Sequence, residues 1–229
     1  MTREVLTIDI GGTNVKMRVA SDPEKRSFPS GPDLTPDQMV DGVMTATEGW
    51  SFDRISIGIP APIVNNQLAR DPVNLGPGWT GFDFDARLKV KVKLLNDAAM
   101  QAVGSYEGGK MLFLGLGTGL GTCMIASHFI LPMELAHMPF KRGRTFDQTL
   151  GVRGLKRRGK RRWTSDVLEA VEIFQRALLP DSIVLGGGNC AKLKNVPEGC
   201  TLGSNANAFL GGFRLWEPEW AASIPVYDR

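Results

Sequence analysis

The segment Asp9-Ile-Gly-Gly-Thr-Asn-Val-Lys16 carries the residue types of a phosphate grip. Gly11 and Gly12 let backbone N–H groups come close to an anion; Thr13 and Asn14 add side-chain donors and Lys16 a positive charge. Asp9, just before the turn, has the chemistry to hold a magnesium ion, or its waters, beside those phosphates. A hairpin turn capped by Asp explains Gly-Gly alone, but not carboxylate, hydroxyl and cation together. This is not a Walker loop, which needs Gly-x4-Gly-Lys-Ser/Thr.

A second such segment is Gly115-Leu-Gly117-Thr118-Gly119-Leu-Gly121. Its glycines miss the Gly-x-Gly-x-x-Gly register of dinucleotide binders, yet a hydroxyl at the tip of a tight turn suits phosphate oxygens. Between the two lies Asn96-Asp97, after a strand pattern and before a helix pattern. N-capping is one reading of that pair; a carboxylate at a strand end, accepting a hydroxyl proton as general base, is the other. Glu134-Leu-Ala-His137 sets two sugar-hydroxyl partners on one face if helical. A metal site there would need a third ligand, and no nearby Cys, His or Asp fits. Gly186-Gly187-Gly188-Asn189, after an apolar strand, either faces an adenine or ribose or begins a helix.

The elements that must position these groups follow from pattern. Val5 to Ile10 and Asn14 to Ala20 read as a hairpin around the first glycine pair. Leu34 to Gly49 reads as a helix with Pro36 in its first turn, and Arg54 to Ile59 as a strand. Pro72 to Trp79 is a loop punctuated by Pro and Gly. Lys89 to Leu95 predicts a strand and Ala98 to Tyr106 a helix. Met111 to Leu116 and Thr122 to Ala126 predict a second hairpin. A helix over Trp163 to Leu178 starts with Asp166 and Glu169 at capping-box spacing, and a strand covers Asp181 to Leu185. Strand, glycine turn and strand thus open each half, which predicts two similar α/β lobes, residues 1–97 and 98–229.

The 229 residues are 42% hydrophobic, enough for one large domain or two small lobes. Cys123, Cys190 and Cys200 lack metal-ligand spacing and leave one over in any disulfide scheme, so free thiols in a reducing cytoplasm are expected. No secretory apolar region follows Met1, and no apolar run reaches the ~20 residues of a membrane span. The net charge of +3 is uneven: Lys141 to Arg162 holds ten basic residues and one acid, +9, leaving −6 on the rest. Such a segment points to a polyanion partner.

In this order the motifs resemble the ROK family of sugar kinases, within the actin/hexokinase/Hsp70 ATPase superfamily, and are most similar to its polyphosphate-glucokinase branch. The likeness runs from Asp9 to about Gly212 and includes Asn74 in Asn-Leu-Gly-Pro-Gly-Trp79. It implies a two-lobed actin-like ATPase (ribonuclease H-like) fold, each lobe a mixed sheet flanked by helices. It further implies transfer of a phosphoryl group from ATP or polyphosphate to the 6-hydroxyl of a hexose, glucose favoured. By resemblance, Asn74, Asn96, Glu134 and His137 bind the sugar and Asp97 activates its hydroxyl. Asp9 organises Mg2+. Gly11, Gly12, Thr13, Asn14, Lys16, Gly117, Thr118, Gly119, Gly121, Gly187, Gly188 and Asn189 hold the donor. A homodimer in the cytoplasm is implied as well. Many members carry a Cys-rich zinc motif after Glu-x-x-His; this chain has no cysteine there, so no zinc is expected, as in the polyphosphate branch. Ala136 stands where Gly is common, the usual third sugar-binding Glu has no counterpart, and little follows Trp216 to form the usual terminal helix. A strand starting at Val5 leaves no room for the DNA-binding domain of ROK repressors.

The run Lys156-Arg-Arg-Gly-Lys-Arg-Arg162 has two readings, a solvated lid and an electrostatic groove for polyphosphate. Nucleic acid fits the charge but lacks aromatic interleaving; Trp163 stands alone. A non-catalytic sugar- or polyanion-binding protein on a kinase scaffold is the alternative function.

Overall fold

The computed structural model describes residues 4–221 and 223. The chain opens with β1 (Val5–Ile10), β2 (Asn14–Val19) and β3 (Arg26–Pro29), then α1 (Pro36–Ala46) and β4 (Arg54–Ile59). A ribbon of β5 (Ile63–Val64) and β6 (Gln67–Leu68), the short α2 (Phe84–Leu88) and β7 (Lys91–Asn96) follow. Five of these strands form one sheet in the order β3-β2-β1-β4-β7. β2 is antiparallel to β1, while β4 is parallel to β1 and β7 to β4.

Helix α3 (Asp97–Ser105) leads to β8 (Lys110–Leu116), β9 (Leu120–Ala126) and β10 (Phe129–Met133). Then come the ribbon β11 (Pro139–Lys141) and β12 (Arg144–Thr145), α4 (Phe146–Leu150), α5 (Val152–Leu178), β13 (Ser182–Gly186), β14 (Cys200–Leu202) and α6 (Asn207–Arg214). The second sheet runs β10-β9-β8-β13-β14. Its β8–β9 pair is antiparallel and its β8–β13 and β13–β14 pairs parallel, repeating the first sheet's connectivity. The strand–glycine turn–strand units therefore head two sheets of one design.

Parallel strands buried on both faces carry near-continuous apolar runs. Leu6, Ile8, Ile10, Ile55, Ile57 and Ile59 are fully buried in the first sheet's core, and Leu112, Leu114, Ile183 and Leu185 in the second's. α1 starts as its sequence dictates: the Thr35 hydroxyl accepts from Gln38 N–H, the Gln38 side chain accepts from Thr35 N–H, and Pro36 lies in the first turn.

α3 and α6 cross between the sheets. Gly104 and Gly211 stand where they cross; a side chain at Gly104 would overlap Asn207 O, and one at Gly211 would overlap Met100 O. The Arg214 guanidinium donates to Val103 O and Tyr106 O, satisfying carbonyls at the C-terminus of α3. α6 also returns to the first sheet: Ser56 Oγ donates to Gly212 O at 2.7 Å, and Trp216 Nε1 donates to Ser56 Oγ at 2.9 Å. This return to the first sheet is made by α6, which precedes Trp216, and by Trp216 itself.

The long helix corrects the sequence expectation. It begins at Val152, not Trp163, so the basic run is helical. Gly159, at φ 73°, interrupts it, a conformation that glycine takes at no steric cost. Asp166 and Glu169 cap nothing: they lie beyond that break, and Asp166 is buried in ion pairs with Lys141 and Arg158.

Candidate active site

The C-terminal ends of β1, β4 and β7 lie side by side, with Asp9 paired to Gly58, Gly58 to Leu95, and Ile59 to Asn96. In open α/β sheets such ends face the ligand crevice. Asp9 is the next-to-last residue of β1, and Asp97 follows β7 as the first residue of α3. Gly58 makes room for this approach, since a side chain there would overlap Met100 of α3.

The charge of Asp97 reaches Asp9. Burial, and after it the charge of Asp97, push Asp9 up to about 6, against the lowering pull of Lys16, its partner across β2. Burial also raises Asp97, opposed by the Ala98 N–H and its own backbone N–H, and the charge of Glu134 adds to the rise. Glu134 follows β10 of the second sheet. Asp9, Asp97 and Glu134 thus converge from both lobes on one electrostatic site.

Asn96 fulfils the capping reading: its Oδ1 accepts from Ala98 N–H at 3.0 Å and Ala99 N–H at 3.3 Å. Its Nδ2 donates to Ala61 O, and its second amide hydrogen has no acceptor among the described residues. Asp97 Oδ1 accepts from Ala98 N–H at 2.9 Å, which fixes the carboxylate at the first turn of α3.

The glycine turns are alike in a way their spacing did not reveal. In the first, Gly11 N–H donates to Asn14 O, and Ser30 holds the loop through Gly11 O and Thr13 O. Among the described residues the N–H groups of Gly12 and Thr13 have no acceptor. In the second, Gly117 N–H folds back onto Gly115 O and Gly119 O, and Leu120 N–H donates to Asp147 Oδ1 at 2.9 Å. There the Thr118 and Gly119 N–H groups have no acceptor among the described residues. Each hairpin tip offers two adjacent free donors, the feature an anion site needs. Gly121, at the base of the second turn, packs against Ala98 in the first turn of α3, which brings this loop beside Asp97.

The remaining groups divide. Glu134 and His137 lie on a single turn of 3-10 helix, where residues three apart eclipse, and their side chains meet at 3.3 Å while exposed. Thr122 Oγ accepts from Leu135 N–H and donates to Met133 O, fixing the turn. Asn74 is exposed on the loop after β6, which Asp71 ties down through Gly78 N–H, Thr80 N–H and the Thr80 hydroxyl. Gly187 takes φ 77° with Leu116 C and O 2.6 Å from where a Cβ would sit; Gly188 is exposed. Asn189, buried, donates to Gly117 O at 3.0 Å and accepts from Lys192, so its side chain braces the second glycine turn. Asp71, Asp147 and Thr122 escaped the sequence reading because their partners lie in other elements or are backbone groups.

No group of three or more His, Cys, Asp or Glu side chains with metal-site geometry occurs among the described residues. The residues present fit Mg2+ in its common mode, held by one or two carboxylates and otherwise by waters and substrate phosphates. Asp9 is a carboxylate that burial and a like charge destabilise, beside a turn with free N–H donors. Among the described residues no helix is long and apolar enough to cross a membrane.

No family model matches the chain, and no curated protein matches it. Solved structures do. An inorganic polyphosphate/ATP-glucomannokinase from Arthrobacter sp. strain KM is 20% identical, with 92% of this chain and 96% of that one covered at a TM-score of 0.78. A ROK family glucokinase from Streptomyces griseus, in complex with glucose and AMPPNP, is 17% identical, with 91% and 97% covered at 0.65. A ROK hexokinase from Thermus thermophilus is 20% identical, with 97% and 91% covered at 0.60. The chain has the two-lobed actin-like fold of these sugar kinases.

Proposed function

We propose that this chain is a sugar kinase of the ROK type that transfers a phosphoryl group from ATP or polyphosphate to the 6-hydroxyl of a hexose, with glucose the first candidate. The observation that carries this reading is the placing of Asp9 and Asp97 at neighbouring strand ends beside two hairpin tips, each with two N–H donors that have no acceptor among the described residues. The fold shared with sugar kinases supports it.

In this reading the sugar sits against Asn74, Asn96, Glu134 and His137, whose polar groups match hydroxyls. Asp97 accepts the proton of the attacking hydroxyl, which its raised affinity for a proton favours. The hydroxyl oxygen bonds to the terminal phosphorus as the bond to the leaving phosphate oxygen breaks. Gly12, Thr13, Thr118 and Gly119 N–H groups hold the phosphate oxygens in place, and most of phosphoryl-transfer catalysis is such positioning and charge neutralisation. Asp9 would hold the magnesium ion, which when bound supplies positive charge beside the donor phosphates. The three thiols are free, and burial raises all of them, Cys123 to about 12, which suits a reducing cytoplasm.

The test is a coupled assay with glucose and Mg2+, run in parallel with ATP and with polyphosphate. Sugar phosphate formation that Asp97→Asn abolishes is the expected result. No turnover of any hexose or amino sugar with either donor overturns the proposal.

A further inference from the structure

The densest positive charge lies outside the cleft just described. β11 and β12 form a hairpin whose turn residues Arg142 and Gly143 take φ 56° and 68°. This turn faces the start of α5 across an open cavity of about 200 Å3. Six cations line it: Lys141, Arg142 and Arg144 from the ribbon, and Arg157, Arg158 and Arg162 from α5. The break at Gly159 falls between Arg158 and Arg162, and both still reach the cavity.

Only part of this charge is neutralised. Lys141 Nζ lies 2.7 Å from Asp166 Oδ1 and also pairs with Glu169, and Arg158 pairs with Asp166. Asp166 is 1% exposed, so it acts as a buried post that fixes two cations in the cavity wall. Arg157 donates to Gln148 O and Arg144 to Arg142 O. The side chains of Arg142 and Arg162 have no partner among the described residues. Six cations against two carboxylates leave a net +4 around one small cavity.

No aromatic side chain lines it: Phe146 and Trp163 are buried, and the half-buried Phe140 is stacked on Phe146 and lies under the Lys141 ammonium, so no ring on the cavity wall stacks a base. Guanidinium forks in a concave site instead suit phosphate oxygens. The cavity also has a link to the donor loop. Asp147 of α4 accepts from Leu120 N–H of the second glycine turn, and two residues on, Thr149 lines the cavity. Val152, at the start of α5, donates to Gly117 O and Thr118 O of the same turn. One short helix separates the two sites, on the order of 10 Å.

We propose that this cavity is a second phosphate site, which holds the distal phosphates of a linear condensed phosphate whose reacting end lies at the two glycine turns. The binding stands on the cavity; its use as a donor anchor rests on the sugar-kinase reading. A nucleoside triphosphate carries too few phosphates to fill both places, so the site favours the longer donor.

The experiment measures equilibrium binding of sodium polyphosphate, Mg-ATP and a single-stranded RNA to the full chain without sugar. The double variant Arg142→Glu/Arg162→Glu reverses two charges that line the cavity. Lys160→Glu/Arg161→Glu makes the same change in net charge on residues that do not line it. The cavity variant should weaken polyphosphate binding by about tenfold or more, the other by less than about threefold, with ATP binding unchanged in both. Arg142→Ser, a milder change on an exposed turn, should show the same direction if the double variant folds poorly. Equal losses in both double variants, a parallel loss of ATP binding, or RNA held through the cavity as tightly as polyphosphate would each overturn the proposal. Cavity-dependent polyphosphate binding without sugar phosphorylation by any donor sinks the kinase reading and leaves the site standing. Turnover with polyphosphate binding that ignores the cavity charges does the reverse.

Discussion

Gly121 at the base of the second glycine turn faces Ala98 in the first turn of α3, and a Cβ at 121 would lie 2.5 Å from the Ala98 Cβ. The second glycine turn and the turn that starts α3 at Asp97 are set against each other by two small residues. Gly121→Ala should therefore shift one against the other, costing about 1–3 kcal/mol as overpacking does. A kcat loss larger than the change in sugar KM is expected, measured on protein whose circular dichroism is unchanged.

Asp97→Asn keeps the side chain's size and can still accept from the Ala98 N–H. It should lower kcat by about 10²–10⁴-fold, the usual contribution of a general base. The melting temperature should hold or rise, because a buried carboxylate is replaced by a neutral group. Glucose binding by calorimetry should persist, which separates a missing base from a missing site.

Asp9 sets a pH dependence of stability. Its carboxyl is raised from 3.8 to about 6 in the folded chain. Below about 4 both states are protonated and nothing is lost. Between about 4 and 6 the unfolded chain releases this proton while the folded chain keeps it, so stability falls as pH rises; above 6 the loss is complete. Asp97 is raised in the same sense. Urea melts of the ligand-free chain across this range should show the decline, and Asp9→Asn should flatten it.

Asp166→Asn removes the charge that Lys141 and Arg158 share inside the second lobe. Breaking a buried ion pair from one side costs about 3–5 kcal/mol, and the partly exposed partners place this case toward the low end. Thermal melts should show the loss, and added phosphate, by supplying negative charge in the cavity, should recover part of it.

Arg214→Ala takes the guanidinium from the α3 carbonyls. About 1–2 kcal/mol of stability should go, comparable to losing a helix cap. Hydrogen exchange should speed up at Val103 and Tyr106 before it does at Leu94 or Ile57.

What was legible in the sequence was local. Glycine turns, the Asn96 cap, Pro36 in the first turn of α1 and the apolar runs of β1, β4 and β8 depend on neighbours a few residues away, and all formed as expected. What failed was contact at long range. Asp166 had the spacing of a capping box, yet Lys141 and Arg158 claim it, and helix α5 starts earlier, where Val152 docks on the second glycine turn. Asn189 had the type of a ligand-binding residue, but its amide holds Gly117 O. Gly104 and Gly211 carried no signal alone; only the crossing of α3 and α6 makes them necessary. Paired free N–H groups at both tips arise from how each loop folds back on itself, which residue types do not encode.

The return of α6 to the first sheet bears on how the protein is made. Gly212 leaves no room for a side chain against Thr7 of β1, and its carbonyl receives the buried Ser56 hydroxyl of β4. Both strands leave the ribosome long before residues 207–216. The apolar face is closed by residues made early, such as Met39, Val40 and Trp79, but until residues 207–216 emerge the opposite face carries the Thr7 and Ser56 hydroxyls without the α6 backbone that buries them. Domains usually complete in the order of synthesis. Here the half translated first waits for the half translated last, so a stalled nascent chain ending near residue 200 should be a chaperone client.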